Sequence, residues 1–171
     1  MSISSALVTG GAGFVGAATV QAISARHPDC RITVLDLRLP LEYDRIPDVT
    51  YYQADVTSPE EVTEALESIR PQVVFHCAGI VPPVPRRYSR TDDARVFRIN
   101  VEGTRNVLAA AKAIGSVKAF VVTSSCTVVT DALDYELHNV DEKLPRFKKS
   151  LSYGESKVGG RVAGPRVYMD G

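Results

Sequence analysis

The feature that most constrains this chain is a glycine-rich turn between an apolar segment and a helical pattern. The segment Ser5–Thr9 runs into Gly-Gly-Ala-Gly, and a proline-free stretch of helix-forming residues follows from Phe14 to Arg26. This order predicts a buried strand, a tight turn and a helix whose free N–H groups bind a phosphate. A plain strand-to-helix turn is the alternative.

Three glycines at this turn have expected structural roles. Gly10 would permit the tight turn, Gly13 would let the backbone approach a pyrophosphate, and Gly16 would let the helix pack close to the sheet. Phe14 and Val15, at the first helical positions, are expected to bind the same phosphates. The sequence therefore predicts a dinucleotide site here.

Apolar segments alternate with helical patterns along the rest of the chain. Further strands are predicted at 31–36, 49–55, 73–77 and 119–123, and helices at 58–70 and from Thr91 or Asp92 to about Ile114. The strands lack period-two alternation, as expected for strands covered on both faces. The pattern predicts an α/β fold with a doubly wound parallel sheet, the Rossmann fold.

The clearest helix start lies at residue 58. Ser58 is the predicted N-cap, Pro59 occupies the first helical position, and Glu61 would complete a capping box. Gly115 is predicted to end the long helix. Residues 131–150 are charged and aperiodic, and are predicted to form an excursion loop.

Composition excludes several classes of protein. Lysines plus arginines and aspartates plus glutamates number 20 each, so the net charge of zero gives no electrostatic reason to bind nucleic acid or an anionic membrane. No apolar run reaches membrane-helix length, and no secretory leader is evident. The three cysteines and three histidines are scattered, which predicts no disulfide framework and no metal site. We expect a cytoplasmic protein.

Two aspartates follow predicted strands at the carboxyl edge of the sheet. Asp36 would accept hydrogen bonds from the adenosine ribose and repel a 2′-phosphate, which favours NAD over NADP, although Arg38 would weaken that preference. Asp55, followed by Val56, would accept a hydrogen bond from the adenine amino group. The alternatives are a solvated strand-end carboxylate for Asp36 and a helix-start carboxylate for Asp55.

The fourth strand ends in His76-Cys-Ala-Gly79 at the same edge. The small Ala78 is expected to let the cofactor pass closely. We interpret His76 as a hydrogen-bonded core histidine rather than an acid or base.

A tyrosine and a lysine lie four residues apart near the end of the chain. On a helix, Tyr153 and Lys157 lie one turn apart, and the ammonium would stabilise a tyrosinate that exchanges protons with a substrate oxygen. Lys157 would also hold the nicotinamide ribose. Ser125, after the fifth strand, would hydrogen-bond the substrate oxygen; a strand-end cap is the alternative.

Together these residues resemble the extended short-chain dehydrogenase/reductases, and within them the 3-beta-hydroxysteroid dehydrogenase family, most nearly its sterol-4-alpha-carboxylate 3-dehydrogenase members. The resemblance rests on residues 9–16, Asp36, 55–56, 76–79, 100–106, 123–125 and the Tyr153/Lys157 pair. It implies that Ser125, Tyr153 and Lys157 are catalytic and that Asn100 supports them. For Asn100, an ordinary polar residue facing a loop is the alternative.

The resemblance implies NAD-dependent oxidation of a 3-beta-hydroxyl group on a sterol or steroid, with loss of a carboxylate at carbon 4 where one is present. It implies a small sterol-like substrate, a homodimer and loose association with the endoplasmic reticulum. Two alternatives stay open: a non-catalytic NAD-binding remnant, and nucleotide-sugar epimerase or dehydratase chemistry. Arg86, Arg87 and Arg90 would either meet a substrate carboxylate or form a solvated basic loop.

The chain departs from the family pattern after Lys157. The family places a substrate-binding region there, whereas this sequence continues with Gly159, Gly160, Gly164 and Pro165, which disfavour a helix. Residues 165–168 resemble the strand that normally follows, arriving early. We therefore expect one NAD-binding domain over residues 1–171, with 151–171 as the start of a truncated catalytic and substrate region.

Overall fold

A computed structural model describes residues 3–83, 86, 90–130, 138–139 and 151–162. Its centre is a five-stranded parallel sheet in the order β3-β2-β1-β4-β5. The strands are β1 (Ser5–Thr9), β2 (Arg31–Asp36), β3 (Val49–Gln53), β4 (Val73–His76) and β5 (Ala119–Val122). The predicted α/β parallel fold is confirmed. β3, β4 and β5 end one or two residues before their predicted ends.

The strand register brings the functional residues to one edge. Thr9 pairs with Leu35 on one side and with His76 on the other, and His76 pairs with Val122. The segments that leave β1, β2, β4 and β5 therefore begin side by side. Ligands of open parallel sheets bind at this carboxyl edge.

Helices cover the sheet on both faces. Ala6, Val8 and Val34 pack with Val20 and Ile23 of α1 (Phe14–Arg26) in one buried cluster. The intervening strand residues point to the other face and join a cluster with α2 (Pro59–Ile69) and α4 (Gly103–Ala113), whose strand members are Leu7, Leu35 and Val74. β1 is buried along its whole length, as predicted for a strand covered on both sides. A short 3-10 helix, Glu42–Asp44, precedes β3.

The start of α2 differs in one bond from the predicted capping box. The Ser58 hydroxyl accepts a hydrogen bond from the Glu61 N–H at 3.3 Å, as expected. The Glu61 carboxylate accepts from the Asp55 N–H at 2.9 Å rather than from Ser58. The reason is that the Ser58 N–H already donates to the Asp55 carbonyl oxygen. Glu61 thus ties the helix start to the residue that follows β3.

The predicted long helix contains an irregular turn. It consists of α3 (Asp93–Phe97), a π-helical segment (Arg98–Glu102) and α4. In the π-helical segment the Gly103 N–H donates to the Arg98 carbonyl, five residues back. Such turns are frequent at functional sites. Gly115 follows the helix with φ +66°, as predicted for a C-terminal glycine.

The helix α6 (Ser152–Val162) continues further than its glycines suggest. We expected Gly159 and Gly160 to interrupt it, and that expectation is wrong. A Cβ at Gly159 would lie 3.1 Å from a methyl group of Val101 in the π-helical segment, so the glycine permits close packing there. The predicted strand at 165–168, Gly164 and Pro165 lie outside the described residues, as does the predicted loop at 131–150 apart from residues 138 and 139.

Among the described strands β5 lies at one edge of the sheet, and it differs from the prediction. Val121 and Val122 are 44% and 36% exposed, whereas all strands were expected to be covered on both faces. The short helix α5 (Thr127–Thr130) follows β5 and packs on α6. In the described part of the chain no helix is long and apolar enough to cross a bilayer.

Candidate active site

A cavity of about 990 Å³ opens at the carboxyl edge of the sheet. The predicted cofactor residues from the first half of the chain all line it: Gly10, Gly13, Phe14, Val15, Gly16, Asp36, Asp55, Val56 and Ala78. They come from four segments, following β1, β2, β3 and β4, that are far apart in the sequence. The sheet topology alone brings them together.

Residues 10–16, which we call the glycine cradle, leave almost no room for a side chain at three of their glycines, Gly10, Gly11 and Gly16. Gly10 has φ +68°, and a Cβ there would lie 2.7 Å from the Ala78 backbone. A Cβ on Gly16 would collide with the Gly10 carbonyl oxygen. Gly16 therefore brings α1 against the turn itself rather than against the strands. Gly11, which sequence reasoning did not single out, would collide with the Val34 side chain if it carried a Cβ.

The N-terminus of α1 presents free donors to the cavity. Gly13 is the N-cap and has no capping side chain, and the first turn has no acidic residue. The Gly13 N–H donates to the Gly10 carbonyl, and the first bond within the helix comes from Ala17. Among the described residues no hydrogen bond engages the N–H groups of residues 14–16, as expected for a first helical turn. This arrangement suits an anion such as a pyrophosphate.

Asp36 is bound to the cradle by its side chain. One carboxylate oxygen accepts from the Ala12 N–H at 3.1 Å and the other from the Arg38 N–H at 3.2 Å. Sequence reasoning did not foresee the bond to Ala12, for which the sequence holds no signal. The carboxylate is thus fixed beside the cradle, and it lines the cavity together with Arg38.

Asp55 and Val56 form another wall. The Asp55 carboxylate accepts from the Thr57 N–H at 2.8 Å, which is the turn role named as its alternative, yet the residue also lines the cavity. The Val56 carbonyl accepts from the Asn106 side chain at 3.0 Å, and the Val56 side chain fills the space left by Gly103. α4 therefore fixes this wall.

Lys157 connects α6 to the cavity. Its ammonium donates to the Thr123 carbonyl at 3.2 Å and lies 5.7 Å from the centre of the Tyr153 ring. A Cβ on Gly79, a residue of the cavity wall, would be 3.2 Å from Lys157 Nζ. Burial lowers the pKa of Lys157, an effect that Cys77 partly opposes. Tyr153 and Lys157 do lie one turn apart on a helix, as predicted.

Ser125 lies two residues before α5. Its hydroxyl oxygen accepts from the Thr127 N–H at 3.3 Å and from the Thr127 hydroxyl at 2.9 Å. This is the capping role given as its alternative. We call Ser125, Tyr153, Lys157 and Asn100 the catalytic corner. α5, which follows Ser125, and α6, which carries Tyr153 and Lys157, pack against each other.

Asn100 is buried and makes three side-chain hydrogen bonds. Its Oδ1 accepts from the Ile80 N–H at 2.8 Å, and its Nδ2 donates to the Ile80 carbonyl at 3.0 Å and to Ser156 Oγ at 2.9 Å. Asn100 lies in the π-helical segment, between the cavity wall and α6. Two of its bonds thus face the loop at Ile80, as in the alternative, and the third reaches α6.

His76 is a core histidine, as interpreted from the sequence. It is 2% exposed, and its ring nitrogens lie 2.7 Å from the Thr9 hydroxyl and 3.0 Å from the Thr104 hydroxyl. Burial, together with the positive charge of Lys157, lowers its pKa to about 3. A ring held neutral between two hydroxyls serves the structure rather than proton transfer.

Two of the three arginines predicted near the substrate lie beside carboxylates. Arg90 forms 2.8 Å ion pairs with Asp93 and with Glu155 of α6, and Arg86 lies 3.8 Å from Asp92. Arg87 is outside the described residues. Arg95 and Arg98, which sequence reasoning did not single out, line the cavity instead.

The comparisons with known proteins agree with this geometry. Residues 6–162 match the model of the NAD dependent epimerase/dehydratase family. The chain belongs to this family. It is similar to the decarboxylating sterol-4-alpha-carboxylate 3-dehydrogenase of Saccharomyces cerevisiae, with 33% identity over 163 residues. It is also similar to the 3-beta-hydroxysteroid dehydrogenase of Mycolicibacterium neoaurum, with 37% identity over 160 residues. The resemblance stated from the motifs is confirmed.

The chain spans less than half the length of these relatives. The matches cover 91% and 89% of this chain, but 44% and 40% of the respective relatives. Among solved structures, a UDP-glucose 4-epimerase of Thermus thermophilus in complex with NAD is similar with a TM-score of 0.76 and 28% identity. The match covers 92% of this chain and 49% of the epimerase.

Proposed function

We propose that this chain binds NAD in the cavity at the carboxyl edge and contributes the catalytic residues for oxidation of a 3-beta-hydroxyl group on a sterol or steroid. The observation that carries the proposal is the nearness of Lys157 to the cavity wall: a Cβ on Gly79 would lie 3.2 Å from Lys157 Nζ. It places the helix of the Tyr153/Lys157 pair beside a cavity lined by the glycine cradle. We propose residues 1–171 as one NAD-binding domain, with the catalytic region beginning at about residue 151.

The cavity fits a dinucleotide on the chain's own features. The cradle is closed to any Cβ at Gly10 and Gly16, it presents the free N–H groups of a helix start, and a carboxylate at Asp36 flanks it. In our proposal the cradle, with Phe14 and Val15, holds the pyrophosphate. Asp36 accepts from the adenosine ribose, Asp55 and Val56 contact the adenine, and Ala78 lets the cofactor pass. NAD, when bound, accepts a hydride from the carbinol carbon of the substrate.

The residues of the catalytic corner would remove the proton of the substrate hydroxyl group. Tyr153 removes the hydroxyl proton of the substrate, and the Lys157 ammonium stabilises the resulting tyrosinate and holds the nicotinamide ribose. Ser125 donates a hydrogen bond to the substrate oxygen, and Asn100 fixes α6 against the cavity wall. Where the substrate carries a carboxylate at carbon 4, the new 3-ketone makes it a β-keto acid. The bond to the carboxylate then breaks, carbon dioxide leaves, and the electron pair passes to the enolate of the ketone.

The relatives in the sterol class support this substrate class, since their names describe dehydrogenation at the 3-position. The similar solved structures keep a second candidate open, because they include UDP-sugar epimerases. The proposed homodimer and the proposed loose association with the endoplasmic reticulum stay predictions.

A direct test measures NAD binding by calorimetry and then NADH formation with a 3-beta-hydroxysterol. We expect binding by both the wild type and Tyr153→Phe, and turnover by the wild type alone. Binding without turnover of either a sterol or a UDP-sugar would support the non-catalytic remnant, and turnover of the UDP-sugar would support epimerase chemistry. Absence of NAD binding would overturn the proposal as a whole.

A further inference from the structure

Ser156 lies between Tyr153 and Lys157 in the sequence and is completely buried. Its hydroxyl donates to the Tyr153 carbonyl at 2.7 Å and accepts from Asn100 Nδ2 at 2.9 Å. A serine hydroxyl has a single hydrogen, so its donor is fully used within α6. The bond from Asn100 is the contact that leaves the helix.

The Asn100 side chain is also hydrogen-bonded to the cavity wall. Its amide oxygen and one amide hydrogen bind the N–H and the carbonyl of Ile80, and the other amide hydrogen goes to Ser156. Both donors of the amide group are therefore used. A buried polar network whose members are all paired holds its parts rigidly, and loss of one member leaves an unpaired buried group.

The contacts form a closed path that includes Lys157 of the catalytic pair. Ile80 and Gly79 are neighbours in the cavity wall, and a Cβ on Gly79 would lie 3.2 Å from Lys157 Nζ. From Ile80 the contacts run through Asn100 to Ser156, along one helical step to Lys157, and back to Gly79. Ser156 thus ties α6 to Asn100, and through Asn100 to the wall at Ile80.

We propose that Ser156 is a positioning residue that keeps Tyr153 and Lys157 in register with the cavity wall at residues 79 and 80. The inference rests on the proposed function, because the register matters for a cofactor in this cavity. Reacting groups displaced by a fraction of an ångström lose much of their rate advantage, so the effect belongs to turnover. A purely structural serine would affect stability alone.

The test compares Ser156→Ala with Ser156→Thr, which keeps the hydroxyl, and with Ser152→Ala. Ser152 is a matched control because it is also a buried serine of α6. Turnover is measured well below each variant's unfolding midpoint. We expect Ser156→Ala to lower kcat roughly tenfold, as for one lost buried hydrogen bond, with the KM for NAD changed less than about threefold. Ser156→Thr should recover most of kcat, and Ser152→Ala should retain it.

A second measurement needs no cofactor. Hydrogen exchange of the Ile80 amide reports its bond to Asn100, and Ser156→Ala should accelerate it roughly tenfold while Ser152→Ala leaves it unchanged. An unchanged Ile80 exchange rate in Ser156→Ala, or an unchanged kcat alongside a lower midpoint, would overturn the inference. If the wild type binds no NAD, the proposed function fails by itself, and the exchange rate still decides whether Ser156 links α6 to the wall.

Discussion

The glycine cradle lies against Ala78 and the catalytic corner lies beside Gly79, and the two regions are held by different kinds of contact. The cradle is fixed by backbone atoms, since Gly10 and Gly16 lie against main-chain atoms that cannot move aside. The corner is fixed by side chains, chiefly Asn100, Ser156 and Lys157, whose bonds bridge segments distant in the sequence. We therefore expect the cradle to tolerate almost no substitution, and the corner to lose function before it loses stability.

The largest effect is expected in the cradle. Gly16→Ala places a methyl group against the carbonyl oxygen of Gly10, so folding requires the backbone to shift, and we expect a loss of about 3 kcal/mol in the free energy of unfolding. Urea denaturation measures it. Gly115→Ala is the control: Gly115 has φ +66° but open space around its Cβ position, and should cost about 1 kcal/mol. Equal losses in the two variants would show that crowding in the cradle does not matter.

The next effect concerns His76, which joins Thr9 beneath the cradle to Thr104 of α4. Its folded pKa is about 3, against 6.5 as the reference for an unfolded chain. Between these values the unfolded chain binds the proton and the folded chain does not, so stability falls as pH falls from 6.5 toward 3. The slope approaches about 1.4 kcal/mol per pH unit.

The measurement is the free energy of unfolding across this pH window, for the wild type and for His76→Gln. Glutamine does not titrate, so the difference between the two proteins should shrink as the pH falls. Parallel curves would mean that His76 takes up its proton in the folded protein.

Gly79→Ala probes the border between the two regions. Its new methyl group would lie 3.1 Å from Asn100 Oδ1 and 3.2 Å from Lys157 Nζ, so both side chains would have to shift by a few tenths of an ångström. We expect a stability loss under about 1 kcal/mol and NAD affinity reduced about tenfold, equivalent to about 1.4 kcal/mol. Thermal unfolding and calorimetry separate the two quantities. A stability loss as large as that of Gly16→Ala, with affinity intact, would assign Gly79 to the rigid cradle.

The smallest effect lies on the outer face of the catalytic corner. Glu155→Gln removes the ion pair between α6 and Arg90, both partners of which are about half exposed. Exposed pairs contribute little and are screened by salt, so the unfolding midpoint should fall slightly at low salt and match the wild type at roughly 1 M salt. Glu67→Gln, at an exposed position of α2, is the control. A difference that persists at high salt would show that Arg90 holds α6 by more than charge.

The same contrast explains what the sequence could predict. The cradle depends on a local pattern, so the strand, turn and helix from Ser5 to Arg26 follow directly from residue order. The hydrogen bond from the Ala12 N–H to the Asp36 carboxylate, in contrast, forms because β1 and β2 lie side by side. No local sequence pattern predicts it. Ser156 was overlooked for a related reason. Its role depends on Asn100, which is 56 residues away.

Two errors came from applying local rules to contacts between segments. Helix propensity argued against a helix through Gly159, but close packing on Val101 makes a residue without Cβ suitable there. The apolar sequence of β5 suggested burial, but a strand at the edge of a sheet leaves Val121 and Val122 partly exposed. Apolar composition shows what a strand can bury, and the neighbouring elements decide what it does bury.

The exposed β5 has a practical consequence for handling the chain. An edge strand with apolar side chains is a template on which strands of other molecules can add. The chain's formal net charge is zero, so long-range repulsion between copies is weak. Both properties favour self-association. We therefore expect Val121→Lys to raise the highest concentration at which the purified chain remains unassociated.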